Sequence, residues 1–199
     1  WYYGRDHKAK IVIGKDTRRS SYMFEYALAA GLTASGADAY LLHVTTTPSV
    51  SYVVRTEDFD CGIMISASHN PYYDNGIKVI NEKGEKLEES VITEIEKYLD
   101  GEIEEIPFAK KDKIGRTVDF AAGRNRYIGY LISIATRSFK NMKVALDCAN
   151  GSASAIAKNV FDALGAQTHV INNEPNGLNI NTDCGSTHIE HLQKFVVEE

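Results

Sequence analysis

The sequence predicts an α/β protein: a three-layer α/β/α domain built on a mixed, mostly parallel sheet, followed by the start of a second, similar domain. Three observations support this prediction. Short runs rich in β-branched residues alternate with segments of helical spacing, several runs are apolar throughout, and the alternation begins again near residue 140. A strand that is apolar throughout is buried on both faces, which requires helices on both sides of the sheet.

Four strands are expected in the first domain. They cover residues 10–14, 39–44, 61–65 and 77–80. The first of them is β-branched and ends at Gly14, and the third is apolar along its length, so both are expected to be buried strands.

Helices are expected between and after these strands. One runs from Ser20 or Ser21, either of which can act as its cap, to Gly36, and three more cover residues 49–55, 88–99 and 126–138. The helix at 88–99 is amphipathic and stops at Gly101. Residues 101–124 are charged and contain Pro107, so they are expected to form a surface connection.

A second unit follows, with the domain boundary expected near residues 139–140, so that the domains cover residues 1–139 and 140–199. A strand at 143–146, a helix at 156–164 and a strand at 168–171 make one βαβ unit. About 60 residues bury little core, so this unit is expected to be marginal alone. The chain starts at Trp1 without an initiator methionine and stops in a helix-like stretch, which predicts a piece of a longer protein.

The composition is that of an ordinary globular protein, with 43% apolar and 25% charged residues among 199. The net charge of −5 argues against nucleic acid as the partner, and no apolar run approaches the ~20 residues of a membrane span. No signal segment opens the chain, so we expect a cytoplasmic protein without a membrane partner. The three widely spaced cysteines fit neither a disulfide framework nor a metal knuckle, and Cys61 and Cys148 are expected to be buried thiols.

Residues 66–76 are the main candidate for chemistry, because this polar loop follows a buried strand, where open α/β sheets bind ligands. Ser68 is a potential nucleophile, with His69 directly beside it and Lys78 ten residues on. The Gly-x-Ser-x-Gly pattern of a hydrolase elbow is absent. A purely structural polar turn remains the alternative interpretation.

The second candidate is the segment Gly14-Lys15-Asp16-Thr17-Arg18-Arg19, in which three cations follow a strand and could bind a phosphate. The interpretation favoured by the residues alone is a solvated helix-entry loop with Asp16 or Ser20 as its cap. The histidines are scattered and form no HExxH pattern, so a self-contained zinc site is not expected.

Three stretches resemble a known family. Residues 62–78, Gly-Ile-Met-Ile-Ser-Ala-Ser-His-Asn-Pro-Tyr-Tyr-Asp-Asn-Gly-Ile-Lys, closely resemble the phosphoserine loop of the α-D-phosphohexomutases. Residues 14–18 are similar to that family's Gly-Arg-Asp-Thr-Arg segment, with Lys15 in place of the usual arginine. Residues 175–181 and 184–188 resemble the branch of the family that acts on glucosamine phosphates.

The resemblance implies a four-domain enzyme that interconverts glucosamine 6-phosphate and glucosamine 1-phosphate through a phosphoserine and a bisphosphate intermediate. It implies that Ser68 is phosphorylated, that Lys78 is the general acid/base, and that His69 forms hydrogen bonds near the phosphate. Arg18 and Asn70 are expected to bind or support the phosphate, with Arg18 and Lys78 both facing Ser68 across one cleft. It also implies Mg²⁺, bound by the Ser68 phosphate and by an Asp-x-Asp-x-Asp run that lies beyond the last residue of this chain.

The implied partner is a phosphosugar substrate, with a homodimer as a further possibility, and this chain alone is expected to be inactive. Two alternatives stay open. The first is the specificity of a phosphomannomutase/phosphoglucomutase, and the second is a non-catalytic dimerisation module.

Overall fold

The computed structural model describes residues 6–104, 106 and 108–198. Its strands are β1 (Lys10–Lys15), β2 (Asp38–Val44), β3 (Cys61–Ile65), β4 (Ile77–Asn81), β5 (Thr117–Asp119), β6 (Lys143–Asp147) and β7 (Gln167–Ile171). Its α-helices are α1 (Arg19–Ala34), α2 (Thr47–Thr56), α3 (Glu89–Leu99), α4 (Ala121–Ser133), α5 (Ala157–Ala163) and α6 (Ile189–Glu198).

The main sheet has five strands in the order β4-β3-β1-β2-β5. The β3–β4 pair is antiparallel, and the pairs β1–β3, β1–β2 and β2–β5 are parallel. The strands β6 and β7 pair in parallel in a second, two-stranded sheet. The expected mixed, mostly parallel sheet is therefore confirmed.

Helices cover both faces of the main sheet. On one face, Ile11, Ile13 and Ile63 form a buried cluster with Ala29 of α1. On the other face, the core of α2, centred on Val50, packs with the buried residues of β1, β2 and β3 and with Phe59. The alternation of inward positions along β1 between the two clusters explains why its sequence is apolar at successive positions.

Two glycines let α2 lie close to the sheet. A Cβ atom at Gly14 would lie 2.5 Å from Val50 Cγ2, and one at Gly62 would lie 2.5 Å from Val54 Cγ2. Both distances are shorter than any ordinary van der Waals contact, so a side chain at either position would push the helix outward. The position of the α2 N-terminus therefore depends on these two glycines.

The second sheet is linked to the first through helix packing. Tyr127 of α4 is buried with Ile156 and Val160, close to α5. The rings of Tyr52 on α2 and Tyr130 on α4 stack with centroids 4.5 Å apart. Helix α4 thus lies between the main sheet and the βαβ unit, and the boundary near residues 139–140 remains a prediction.

Several expectations are wrong in detail. Residues 101–124 do more than connect, because β5 adds a fifth strand to the sheet edge and α4 begins at Ala121 rather than at residue 126 and ends at Ser133. Three residues give too short a run for a sequence pattern to reveal. Ser20 and Ser21 lie inside α1 and do not cap it, since the N-cap residue is Arg18. Pro107 lies outside the described residues.

Helix α3 has the expected amphipathic sequence but no buried residue. Its apolar face remains partly open, with Ile95, Tyr98 and Leu99 all exposed. An amphipathic pattern predicts that a helix forms, but it does not say whether a partner for the apolar face lies within the same chain.

All three cysteines are buried and free. Burial raises the pKa of the Cys61 thiol to about 12. Burial first, and then the charge of Asp147, also raises the pKa values of Cys148 and Cys184. The thiols are therefore protonated at neutral pH, in line with a structural role. Within the described part of the chain, no helix combines the length and apolar character needed to cross a bilayer.

We expect Gly62→Ala to lower the free energy of unfolding by about 1–3 kcal/mol, because the added methyl group overpacks the α2–sheet interface. Gly31→Ala is the matched control, because Gly31 lies inside α1 and a Cβ atom added there would have no neighbour within 4 Å. That control should raise the free energy of unfolding by up to about 1 kcal/mol. Urea unfolding of both variants is the measurement, and equal effects would contradict the close approach of α2.

Candidate functional site

The loop at residues 66–76 connects β3 to β4 and is closed at its base by a hydrogen bond from the Ser66 amide to the Gly76 carbonyl, 2.8 Å long. Ser68 is exposed on this loop and has a φ of +57°, in the left-handed region that serine rarely adopts. Its amide donates to Ser66 Oγ at 3.1 Å. Such a backbone persists only where the surrounding structure holds it in place.

The first residue that holds the loop is Arg18, which is only 1% exposed. Its Nη2 donates to the carbonyl oxygen of Asn70 at 2.6 Å and to that of Ser68 at 3.3 Å. Its Nη1 forms an ion pair with the Asp16 carboxylate, which also accepts from the Arg18 amide at 3.0 Å. Arg18 thus lies beside Ser68 and is committed to the loop backbone, and its role toward a phosphate stays a prediction.

The second unit approaches the same region through three contacts. Thr17 Oγ1 donates to the Asn150 carbonyl at 2.6 Å. The Arg19 amide, at the start of α1, donates to the Gly177 carbonyl at 3.0 Å. Asn181 Nδ2 lies 2.9 Å from the carbonyl oxygens of both Ser68 and Asn70. The loop is therefore held by groups from both parts of the chain.

Ser68 and Lys78 line one cavity, of about 280 Å³. The other lining residues come from the ends of β1, β2 and β3 and from the second unit: Asp16, Thr46, Thr47, Pro48, Ser66, Cys148, Gly151, Ser152, Ala153, Ile180 and Asn181. The carboxyl ends of the parallel strands thus meet at this edge, where open α/β sheets bind ligands.

The cavity favours an anionic ligand. Lys78 is exposed and forms no ion pair with any residue in the described part of the chain. Thr46 and Thr47, at the N-terminus of α2, also line the cavity, and a helix N-terminus carries partial positive charge. The negative charge of Asp16 is offset by Arg18. The net effect is a cationic cavity beside an exposed hydroxyl group.

The remaining predicted site residues lie on the loop but outside this cavity. His69 and Asn70 are exposed, and neither is among the residues that line it. Asn70 acts within the loop, since its Nδ2 donates to Asp74 Oδ2 at 3.1 Å and its carbonyl accepts from Arg18. The roles suggested for these two side chains stay predictions.

Lys15 belongs to the core. Its side chain is 2% exposed, its Nζ lies 2.6 Å from Glu25 Oε2, and the same atom lies 3.4 Å from the centroid of the Tyr22 ring. The segment at 14–19 is therefore not the solvated entry loop favoured above, and its first cation does not reach the cavity. The strand that precedes the segment continues to Lys15 and buries it.

A larger cavity, of about 520 Å³, lies beside the start of α1. It is lined by Arg19, Tyr22 and residues of the second unit such as Asn173 and Asn176. Its one potential nucleophile from the motif at 14–19, Thr17, already donates its hydroxyl to a carbonyl. The smaller cavity is the better candidate site because it alone combines the exposed serine with Lys78.

The described residues do not provide a complete magnesium site. Among them, no group of three or more histidine, cysteine, aspartate or glutamate side chains is placed to hold a metal ion. Asp16 is the one carboxylate that lines the candidate cavity, and its ion pair with Arg18 occupies it. Magnesium in proteins keeps several waters and is bound through one or two carboxylates together with phosphate oxygens, and the described residues offer it no free carboxylate at this cavity.

Two groups of cavity-lining residues are not predicted from the sequence. Asn181 is distant in sequence from the serine loop, and Thr46 and Thr47 belong to a segment that reads only as a loop. A signal existed for Asn181, because it lies in the stretch 175–181 that resembles the glucosamine phosphate branch of the family. Nothing in the sequence indicates its contact with the loop.

The fold and the cavity define a class: an α/β domain with an exposed serine loop beside a cationic cavity at the carboxyl edge of its sheet. Residues 2–105 match the family model described as phosphoglucomutase/phosphomannomutase, alpha/beta/alpha domain I. The chain belongs to the phosphoglucomutase/phosphomannomutase family. The predicted family and fold are therefore confirmed.

Individual relatives refine the comparison. The whole chain is 75% identical to a phosphoglucosamine mutase from Lachnoclostridium phytofermentans, of which it covers 44%. The chain thus spans less than half the length of this relative.

Solved structures show the same fold. A phosphoglucomutase/phosphomannomutase family protein from Burkholderia thailandensis matches with a TM-score of 0.77 and 22% identity, over 96% of this chain and 41% of that one. N-acetylphosphoglucosamine mutase from Aspergillus fumigatus, solved with GlcNAc-6P and magnesium, matches with a TM-score of 0.51 and 18% identity, over 94% of this chain and 29% of that one.

We expect Lys15→Met to lower the free energy of unfolding by about 3–5 kcal/mol, because it removes the lysine 2.6 Å from the buried Glu25 carboxylate, whose other basic neighbour, His43 Nδ1, lies 3.8 Å away. The double variant Lys15→Met/Glu25→Leu removes both charges and should recover most of this loss. Urea unfolding of the single and double variants measures the difference. A small effect of the single variant would mean that Lys15 is not a core residue.

Proposed function

We propose that the chain is the serine-bearing part of a phosphoglucosamine mutase, in which Ser68 carries the transferred phosphoryl group. The observation that carries the proposal is the exposed Ser68, opening with Lys78 into one cationic cavity. The 75% identity with a phosphoglucosamine mutase over the whole chain supports the choice of glucosamine phosphate as substrate.

The transfer step follows from the position of Ser68. A hydroxyl oxygen of the phosphosugar forms a bond to the phosphorus of phosphoserine, and the bond between phosphorus and Ser68 Oγ breaks. The proton lost by the sugar hydroxyl is matched by the proton that Ser68 Oγ takes up. The product is a sugar bisphosphate, which returns its other phosphate to Ser68 after it has turned over in the site.

Charge and position do most of the work in such a reaction. A phosphoserine carries a charge of about −1.5 to −2, and Lys78 with the N-terminus of α2 supplies the opposite charge in the cavity. We assign to Lys78 the transfer of protons between the sugar hydroxyl and its surroundings. Arg18 supports the phosphate indirectly, by holding the loop, and His69 is assigned a hydrogen bond near it.

The remainder of the protein completes the site in this proposal. Residues 1–139 form a first domain, and residues 140–199 begin a second whose later part supplies carboxylate ligands for Mg²⁺. Bound magnesium would offset the charge of the phosphoserine. The A. fumigatus enzyme, solved with magnesium, supports this assignment only through its shared fold. We also propose a cytoplasmic enzyme of amino-sugar metabolism that can form a homodimer.

We expect Ser68→Ala to lower turnover of glucosamine 6-phosphate by at least about 10⁴-fold in the full-length protein, because the acceptor of the phosphoryl group is gone. Ser133→Ala, at an exposed position at the end of α4, is the control and should retain activity. A coupled assay for glucosamine 1-phosphate is the measurement.

The same assay tests the wider proposal. The 199-residue chain alone should show no turnover, because metal and substrate groups are missing and positioning supplies much of the rate. Near-normal turnover by Ser68→Ala would contradict the phosphoserine mechanism. A wild-type preference for mannose or glucose phosphates would instead support a phosphomannomutase/phosphoglucomutase.

We expect Lys78→Met to lower kcat by about 10²–10⁴-fold, the usual contribution of a positioned acid or base. Lys78→Arg restores the charge but cannot exchange a proton, so it should be as slow if Lys78 transfers protons. Lys83→Met, at an exposed lysine beyond β4, is the control. Full recovery in the arginine variant would show that Lys78 contributes charge alone.

A further inference from the structure

Asn181 makes the longest-range polar contact to the serine loop. Its Nδ2 donates to the carbonyl oxygen of Ser68 and to that of Asn70, both at 2.9 Å, across 113 and 111 residues of chain. A side-chain amide nitrogen has two hydrogens, so one group can serve both carbonyls at once.

The two carbonyls are also the ones that Arg18 contacts from within the first domain. A carbonyl oxygen has two lone pairs, so Arg18 and Asn181 together fill the accepting capacity of both. Ser68, with its left-handed φ of +57°, supplies the first of these carbonyls. The conformation that exposes the hydroxyl group is thus fixed by one donor from each part of the chain.

The backbone of Asn181 is itself well placed for this contact. Its φ is +59°, a conformation that asparagine tolerates better than most residues, and its amide donates to the Ala149 carbonyl at 2.9 Å. Residue 181 also lines the candidate cavity, together with Ile180. The main chain of Asn181 is therefore fixed by the second unit, and its side chain extends from there to the serine loop.

We propose that Asn181 is a positioning residue: it holds the Ser68–Asn70 backbone from the second unit and so keeps the Ser68 hydroxyl in its reactive place. A consequence is that the geometry of the serine loop depends on where the second unit sits. The catalytic part of this inference rests on the proposed function. The structural part, that Asn181 restrains the loop, does not.

The variant Asn181→Asp isolates the donor. Aspartate has the same shape and also accepts a left-handed backbone, but it places a carboxylate oxygen against two carbonyl oxygens. Asn181→Gly is the second variant, because glycine adopts positive φ without strain and adds no charge. Asn141→Asp is the matched control, since Asn141 is exposed and has a φ of +68°.

Two measurements on the full-length protein test the proposal. Chymotrypsin reports on the loop, because Tyr72 and Tyr73 are 40% and 67% exposed within it. Cleavage after these residues, mapped by mass spectrometry, should be about tenfold faster in both Asn181 variants than in Asn141→Asp, equivalent to about 1.4 kcal/mol. The kcat for glucosamine 6-phosphate should fall by about tenfold or more, with KM changed less than about threefold and the thermal midpoint lowered by no more than about 4 °C.

Each outcome has a defined meaning. Unchanged loop cleavage in both Asn181 variants would overturn the proposal whatever the activity. Faster cleavage with unchanged kcat would overturn the positioning role of Asn181 in catalysis, while the finding that Asn181 restrains the loop would stand. If the wild-type protein does not turn over glucosamine 6-phosphate, the proposed function fails, and the chymotrypsin comparison still decides whether Asn181 restrains the loop.

Discussion

A guanidinium group that is shielded from water depends on partners inside the protein. For Arg18 these are the Asp16 carboxylate, bound by Nη1, and the backbone carbonyls of the serine loop, bound by Nη2, while Nε has no hydrogen-bond partner among the described residues. Removing the Asp16 carboxylate would leave a buried charge uncompensated, and removing the loop carbonyls would leave buried donors unsatisfied, both of which are costly defects. The loop is therefore drawn to the end of β1. The left-handed Ser68 is part of this arrangement, because its own carbonyl and that of Asn70 both point toward the same cation.

Two glycines also determine the geometry of this edge of the sheet. Without side chains at Gly14 and Gly62, α2 lies against β1 and β3, and its N-terminus reaches the cavity beside Lys78. Close packing, rather than a polar contact, thus sets the position of the partial positive charge there. The second unit then closes the opposite side of the cavity with its loop at 148–153 and with Asn181.

Much of this could be read from the sequence, and the failures have physical reasons. The strands of the sheet core are predicted by apolar runs, and the loop at 66–76 is predicted by turn-forming residues, and both of these signals are local in sequence. The burial of Lys15 and Arg18 has no sequence signal, because charge normally implies exposure and only tertiary structure brings Glu25 and Asp16 close enough to neutralise them. β5 was missed because its three residues acquire their strand character from pairing with β2. Contacts such as that of Asn181 have no local trace at all.

The separations along the chain of the groups around the loop also imply an order of assembly. The β3–β4 hairpin closes over eleven residues, and such closures are fast and cost little entropy. Arg18 reaches the loop from about 50 residues earlier, so its partners meet as soon as the first sheet forms. Asn181 follows the loop by 113 residues. On the ribosome, where domains fold from the N-terminus onward, the serine loop consequently gains its hairpin and Arg18 contacts early, and the contact from Asn181 forms last.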